Sequence, residues 1–180
     1  VKVREYTRKI TAASNHLLSL INDILDISKI ESGKLTLNQS IFSINDLIDS
    51  INVVIQPAAA AKKQTFRITF HDLEHELYIA DNVRINQVLV NLLSNAVKYT
   101  QLGGHIELRV TGKGYSGLFA QVQFEVIDDG YGINKDFQKI IFGPFTRAEN
   151  SAINREVGTG LGLAITKNIV ELMGGRIELD

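Results

Sequence analysis

Apolar or small residues at Val3, Tyr6, Ile10, Ala13, Leu17, Leu20, Ile24 and Ile27 are separated by alternating steps of three and four, an unbroken heptad seam. Leu18, Ile21 and Leu25 widen the stripe towards its C-terminal end, a width that suits a helical bundle better than a two-stranded coil. No later segment offers a matching long helix. The seam is therefore either packed on its own domain or completed by a partner chain or an upstream helix, and its regularity favours the second. Ser32-Gly33 ends this helix, because glycine suits the position just past a helix terminus.

The pattern then changes character. Residues 34–42 read as a short strand, and Ser43 caps a helix that buries Ile44, Leu47, Ile48, Ile51 and Ile55 and stops near Pro57 or in the following alanines. Residues 63–70 and 76–80 alternate as strands, and a long helix covers 82–99. Two further strands, 105–111 and 118–128, are joined by a glycine-containing turn. A loop-rich stretch over 129–157 precedes a helix at 161–173 and a last strand at 176–179. Such an irregular mixture predicts an α+β sandwich, a mixed sheet with helices over one face.

Composition narrows the chemistry. Nineteen Lys and Arg against twenty Asp and Glu give a net charge of -1, which offers nothing to draw the chain to nucleic acid or an anionic membrane. With no cysteine, disulfides, thiolate zinc sites and thiol catalysis are excluded. No run reaches the roughly 18 apolar residues that span a bilayer. Fourteen glycines against two prolines are the sharper clue, because the glycines cluster, and clustered glycine lets a backbone approach a ligand.

Four segments carry candidate chemistry. On the helix over 82–99, Arg84, Gln87, Asn91, Asn95 and Lys98 fall within about 80° of one another, opposite Ile85, Leu89, Leu92, Leu93, Ala96 and Val97. A solvated face would use Lys and Glu. Amides plus one lysine make a polar wall, in which Asn oxygens can ligate Mg²⁺ beside phosphates and Lys can neutralise them. In Val126-Ile-Asp128-Asp129-Gly130-Tyr131-Gly132-Ile133 an apolar strand ends in an aspartate, where a buried carboxylate could accept from an amine such as that of adenine. An ordinary Asp-Gly turn has the same look. Gly158-Thr159-Gly160-Leu161-Gly162 opens a helix with free N–H groups at its positive end, a phosphate-site pattern that is neither a dinucleotide fingerprint nor a P-loop. Ile141-Phe-Gly-Pro-Phe145-Thr-Arg147 can anchor a lid over 134–157, with Arg147 or Arg155 reaching a terminal phosphate; a pinned surface loop is the plainer alternative.

Two other motifs carry little. Gly112-Lys-Gly114-Tyr-Ser-Gly117 matches G-x-G-x-x-G but opens no helix and reads as a hairpin turn. His71-Asp-Leu-Glu-His75 matches a zinc pattern that needs a helix to align its histidines, and it falls in a short link between strands.

Taken in order, NQVLVNLLSNAVKYT, DDGYGI, IFGPFTR and GTGLGLAI resemble the N, G1, F and G2 boxes of sensor histidine kinases, within the Bergerat-fold ATPases, and HLLSLINDILDISKIESGKL resembles the second helix of their dimerisation domain. The resemblance implies a Bergerat-type sandwich preceded by a dimerisation helix: residues 1–33 half of a dimerisation hairpin, residues 34–180 an ATP-binding catalytic domain lacking its last strand. It implies ATP and Mg²⁺ as cofactors. Asn95 would ligate the metal, with Asn91 lining the same site, and Lys98 and Tyr99 would contact phosphates and ribose. Asp128 would read adenine in a pocket shaped by Gly130, Gly132 and Ile133, Phe145 would belong to the cofactor-binding set, and Arg147 would meet the terminal phosphate. Gly158, Thr159, Gly160, Leu161 and Gly162 would cradle phosphates. Asn91, Lys98 and Arg147 would be the residues closest to the chemistry.

The implied partners are a response-regulator receiver domain and a second copy of the chain through the N-terminal helix. The implied location is the cytoplasm, with membrane attachment only through other parts of a longer sensor. The family's His-Glu-x-x-Thr/Ser-Pro phosphoacceptor stretch does not occur here, so the expectation is a fragment that binds ATP without phosphorylating itself. Two alternatives remain open. Hydrolytic Bergerat enzymes carry a glutamate one turn before the metal-binding Asn, where this chain has Asn91, and a degenerate kinase that only dimerises would bind no ATP.

Overall fold

The computed structural model describes residues 2–146 and 159–180. The elements follow the predicted order: α1 (Lys2–Glu31), β1 (Ser40–Ser43), α2 (Ile44–Ala61), β2 (Thr65–His71), β3 (Leu77–Ala80), α3 (Asn82–Tyr99), β4 (His105–Ser116), β5 (Phe119–Asp128), a short α4 (Lys135–Gln138) and α5 (Gly162–Leu172). The strands form two sheets. β1 pairs antiparallel with β3, and β2-β4-β5 is mixed, with β2 parallel and β5 antiparallel to the central β4. The Gly112–Gly117 stretch, read as a hairpin turn, is mostly strand: β4 continues to Ser116 across a register shift between Gly112 and Tyr115, and only Gly117 and Leu118 make the turn into β5.

The periodicities explain the core. Ile48, Ile51, Ile55 and Ala59 of α2 and Leu89, Leu93, Ala96 and Val97 of α3 pack on Ile106, Leu108 and Val110 of β4. The other face of the β2-β4-β5 sheet is polar, so the helices cover one face, as expected. Two strand predictions need correction. Residues 34–39 form no strand: Leu35 turns into a second apolar cluster and the Asn38 N–H donates to Asp81 at 2.8 Å, so side chains rather than a ladder hold this segment. Residues 176–179 are not a strand either, because they enter no ladder among the described residues, and an extended segment without a paired neighbour is no strand.

Buried Asp81 sets the start of α3. One carboxylate oxygen accepts from the Arg84 N–H at 3.0 Å and the other holds Asn38. The far end of α3 is capped by groups that no local pattern marks. The Lys62 ammonium donates to the carbonyls of Val97 and Lys98 at 2.9 and 2.8 Å, and the Gln64 amide to those of Val97, Thr100 and Gln101 at 3.1, 2.9 and 3.2 Å. Both ends of the helix that carries the polar wall are therefore fixed.

On the polar face of the sheet, register places Arg67 opposite Glu107 and Arg109 opposite Glu125. Glu107 accepts from Arg67 at 2.7 Å and from Thr69 at 2.8 Å, with the Arg109 Nε at 3.3 Å. These bonds, that from Arg67 foremost, hold its carboxyl down at about 2 from an ordinary 4.5. A carboxyl depressed in the folded state stabilises it above the unfolded value, and that contribution is lost as pH falls. Wild type should therefore melt above Glu107→Gln near neutrality, and the gap should close between pH 4.5 and 2, followed by circular dichroism. A gap that stays constant across that window would show that the carboxylate is not the source.

Candidate functional site

Helix α3 is the hub on which the conspicuous motifs converge, and each junction is a place where a side chain would not fit. Gly130 lies against the C-terminal end of α3: a Cβ there would stand 2.7 Å from the Tyr99 carbonyl oxygen. Gly162, the first residue of α5, lies against the middle of α3, where a Cβ would stand 2.3 Å from Asn91 Oδ1. Gly160 has φ +72°, open to glycine without cost, and a Cβ there would meet the Phe145 backbone at 2.8 Å. Segments far apart in sequence, 128–133 and 159–166, are thus drawn onto α3, and 141–146 packs on the second of them at Gly160.

The residues of the polar wall divide into two groups. Asn91 donates to Thr166 Oγ1 at 2.8 Å, which orients its amide beside the Gly162 turn. Half-buried Asn95 makes no side-chain hydrogen bond among the described residues. The Lys98 ammonium stands 4.8 Å from the centroid of the Tyr99 ring, a cation–π distance that holds it at the rim. Arg84 and Gln87, by contrast, are engaged by Asp26 of α1 (2.9 and 2.8 Å) and do not face an open site.

At the end of β5 two adjacent aspartates have different tasks. Asp129 accepts from the His105 N–H at 2.7 Å and pairs with the His105 ring at 3.0 Å, and these bonds hold its carboxyl below the ordinary carboxylate range. Asp128 accepts from the Gly130 N–H at 2.9 Å, within its own turn. The sequence reading of Asp128 as buried is corrected: it lies exposed at the strand end. Beside it Gly132 adopts φ +67° with open space around it, and Ile133 is partly exposed. Phe145 is 72% exposed with φ +60°, a left-handed conformation unusual for a bulky residue. In the glycine turn Thr159 Oγ1 accepts from the Leu161 N–H at 3.1 Å, and Leu161 is fully buried. Arg147, Arg155 and Gly158 lie outside the described residues, with positions 147–157 of the expected lid.

A hub helix with an amide face, contacted by an Asp-x-Gly-x-Gly turn and a glycine-opened helix, is the arrangement of one ATPase group. The model of histidine kinase-, DNA gyrase B- and HSP90-like ATPases matches residues 80–180. The chain belongs to this family. It is 38% identical over 175 residues to the sensory/regulatory protein RpfC of Xanthomonas campestris pv. campestris, covering 97% of this chain and 24% of that protein. Among solved structures it is similar to full-length ShkA in complex with AMPPNP, with TM-score 0.78 and 29% identity over 97% of this chain and 35% of that one. It is also similar to histidine kinase ThkA in complex with the response regulator TrrA, with TM-score 0.63 and 26% identity over 90% of this chain and 43% of that one. The chain thus spans about a quarter of the length of RpfC. Its matched portion is an ATP-binding domain of the sensor-histidine-kinase type.

Sequence reasoning missed Thr166, Lys62, Gln64 and Asp26. Thr166 had a faint signal, a hydroxyl one turn into α5 among the apolar Ala164, Ile165 and Ile169, and the others are paired with α3 only by the fold.

Proposed function

We propose that this chain binds Mg·ATP on the Asn91–Asn95–Lys98 face of α3 and delivers the terminal phosphoryl group to a histidine on the first helix of a dimerisation hairpin. A response-regulator aspartate would receive it next. The observation that supports this reading is the convergence of two glycine junctions on α3, Gly130 at Tyr99 and Gly162 at Asn91, beside a helix face of neutral amides and one lysine. Neutral amide oxygens suit Mg²⁺ that remains partly held by phosphate, and a glycine cradle suits the phosphates themselves, so the residues present fit both groups.

In this reading Asn95 holds the metal with Asn91 beside it, Asp128 accepts from the adenine amine, and Gly158 to Gly162 receive phosphate oxygens. Lys98, Tyr99 and, from the lid, Arg147 complete the contacts. The metal, when bound, neutralises phosphate charge. What the protein supplies is position, the main source of rate in phosphoryl transfer. Hydrolysis is the weaker reading, because Asn91 stands where a base would be needed and an amide cannot take a proton from water.

The exposed seam of α1, with Val3, Ile10 and Leu17 more than half accessible, supports self-association through that helix. The complex formed by ThkA supports a receiver domain as the partner. Among the described residues no helix is long and apolar enough to cross a membrane. The cytoplasm is the location this reading proposes, with any membrane attachment elsewhere in a longer protein.

Calorimetry tests the site. Wild type should bind ATP more tightly with Mg²⁺ than without, Asn95→Ala should lose that difference, and Asp128→Ala should weaken ATP and ADP alike by about tenfold or more. Equal affinity with and without Mg²⁺ would remove the metal assignment, and rapid steady ATP turnover would favour a hydrolase.

A further inference from the structure

Two of the five residues of the polar wall, Arg84 and Gln87, are engaged by the N-terminal helix. Asp26 Oδ2 accepts from Arg84 Nη1 at 2.9 Å and from Gln87 Nε2 at 2.8 Å, and Arg84 Nη1 also donates to Gln87 Oε1 at 2.7 Å, which closes a triangle. The ion pair is largely shielded, with the two side chains 13% and 19% exposed, so water screens it less than a surface pair. One turn earlier, Asp23 Oδ2 lies 3.4 Å from Thr159 Oγ1, the hydroxyl that also caps the Leu161 N–H in the glycine turn. One turn later, Ile27 and Ile30 pack with Leu161, Ile165 and Ile169. The earlier part of α1 is more open: Ile10, Leu17 and Leu18 are each more than half exposed. Helix α1 is thus held to the catalytic domain by its last three turns. Two carboxylates of that attachment stand on the α3 face and glycine turn to which the phosphates are assigned.

We propose that Asp23 and Asp26 form an electrostatic latch that docks α1 on the catalytic domain and opposes nucleotide in proportion to its phosphate charge. The inference rests on the placement of ATP given under Proposed function. The sign follows from charge. Arg84 is the guanidinium of this wall, and Asp26 holds it in the docked state, so it cannot turn to a phosphate. Along α3, Arg84 and Asn91 are seven residues apart, about 10 Å, close to one Debye length at physiological salt. Asp23 is nearer still, in reach of the turn that receives phosphate. In the docked state a triphosphate therefore meets the Asp23 carboxylate beside the glycine turn and an Arg84 already held by Asp26. By reciprocity, nucleotide loosens the α1 docking by the same factor as docking weakens nucleotide. A sensor could use this coupling in either direction: moving α1 would change nucleotide affinity, and loading nucleotide would free α1 to move.

The test measures ATP and ADP affinity by calorimetry, and hydrogen exchange over residues 20–33 without nucleotide, for wild type, Asp26→Asn and Asp23→Asn/Asp26→Asn. The double variant should bind ATP about three- to tenfold more tightly, with a smaller gain for ADP, and exchange over 20–33 should be faster by a similar factor even with no nucleotide present. Asp26→Glu, which keeps the charge, should stay near wild type in ATP affinity. Unchanged affinities in the double variant, an equal gain for ATP and ADP, or unchanged exchange over 20–33 would each overturn the latch. If wild type binds no ATP, the assignment of the site falls instead, while faster exchange in the variants would still report the docking.

Discussion

Replacing Gly162 with alanine should lower ATP affinity on the order of ten- to a hundredfold while leaving the melting temperature nearly unchanged. A Cβ at this position would stand 2.3 Å from Asn91 Oδ1 and 3.0 Å from both Cγ and Nδ2, so the whole amide has to move. Moving it breaks the 2.8 Å bond to Thr166 and turns the Asn91 oxygen away from the wall it shares with Asn95. Stability should suffer little, because alanine in the first turn of α5 is a better helix former than glycine by about 1 kcal/mol, which offsets the local repacking. Calorimetry and thermal melting separate the two effects. A double-variant cycle sharpens the test. With Asn91→Ala in place the obstructing amide is gone, so Gly162→Ala should then cost far less affinity than it does alone. Full additivity, or a Gly162→Ala affinity within twofold of wild type, would show that the α3–α5 junction does not shape the binding face.

Why some of this was legible in the sequence, and some not, is clear from individual residues. Periodicity exposed α1, α2 and α3 because each has one face that must be buried or paired, and Leu89, Leu93, Ala96 and Val97 lie in the core as their spacing required. The glycine motifs were legible because their spacing reflects close backbone approach, and Gly130, Gly160 and Gly162 are where a Cβ would collide. Burial was read less well. Asp128 follows an apolar strand, and strand polarity says nothing of whether the strand end is covered. The segment 34–39 has alternation enough for a strand, but a strand exists only where a neighbour offers a ladder, and β3 pairs with just Ser40–Ser43. The wheel of α3 placed Arg84 and Gln87 on the ligand face. It could not show that Asp26, 58 residues before Arg84, reaches them first. Pairings of that kind depend on how α1 packs on α3 and α5, which no local pattern encodes.

Leu93→Ala should cost about 3 kcal/mol of stability and leave ATP affinity unchanged in the fraction that remains folded. Leu93 is completely buried, on the side of α3 opposite Asn91 and Asn95, in the cluster with Ile51, Ile55 and Leu108. Its removal leaves a cavity in close-packed surroundings and touches no group of the binding face. Each kcal/mol moves the melting point of a domain this size by about 2–4 °C, so a fall of roughly 6–12 °C is expected. Ligand linkage then provides a check on which unit melts. A nucleotide that binds only the folded state stabilises it by about 2.7 kcal/mol at a hundred times its dissociation constant, so ATP at that excess should nearly restore the lost melting temperature. The recovery should be the same size in wild type and variant, because the cavity and the site lie on opposite sides of one helix. If ATP raised the melting point of wild type but not of Leu93→Ala, core and binding face would be coupled through α3. The helix would then be a deformable element rather than the rigid hub on which the site is built.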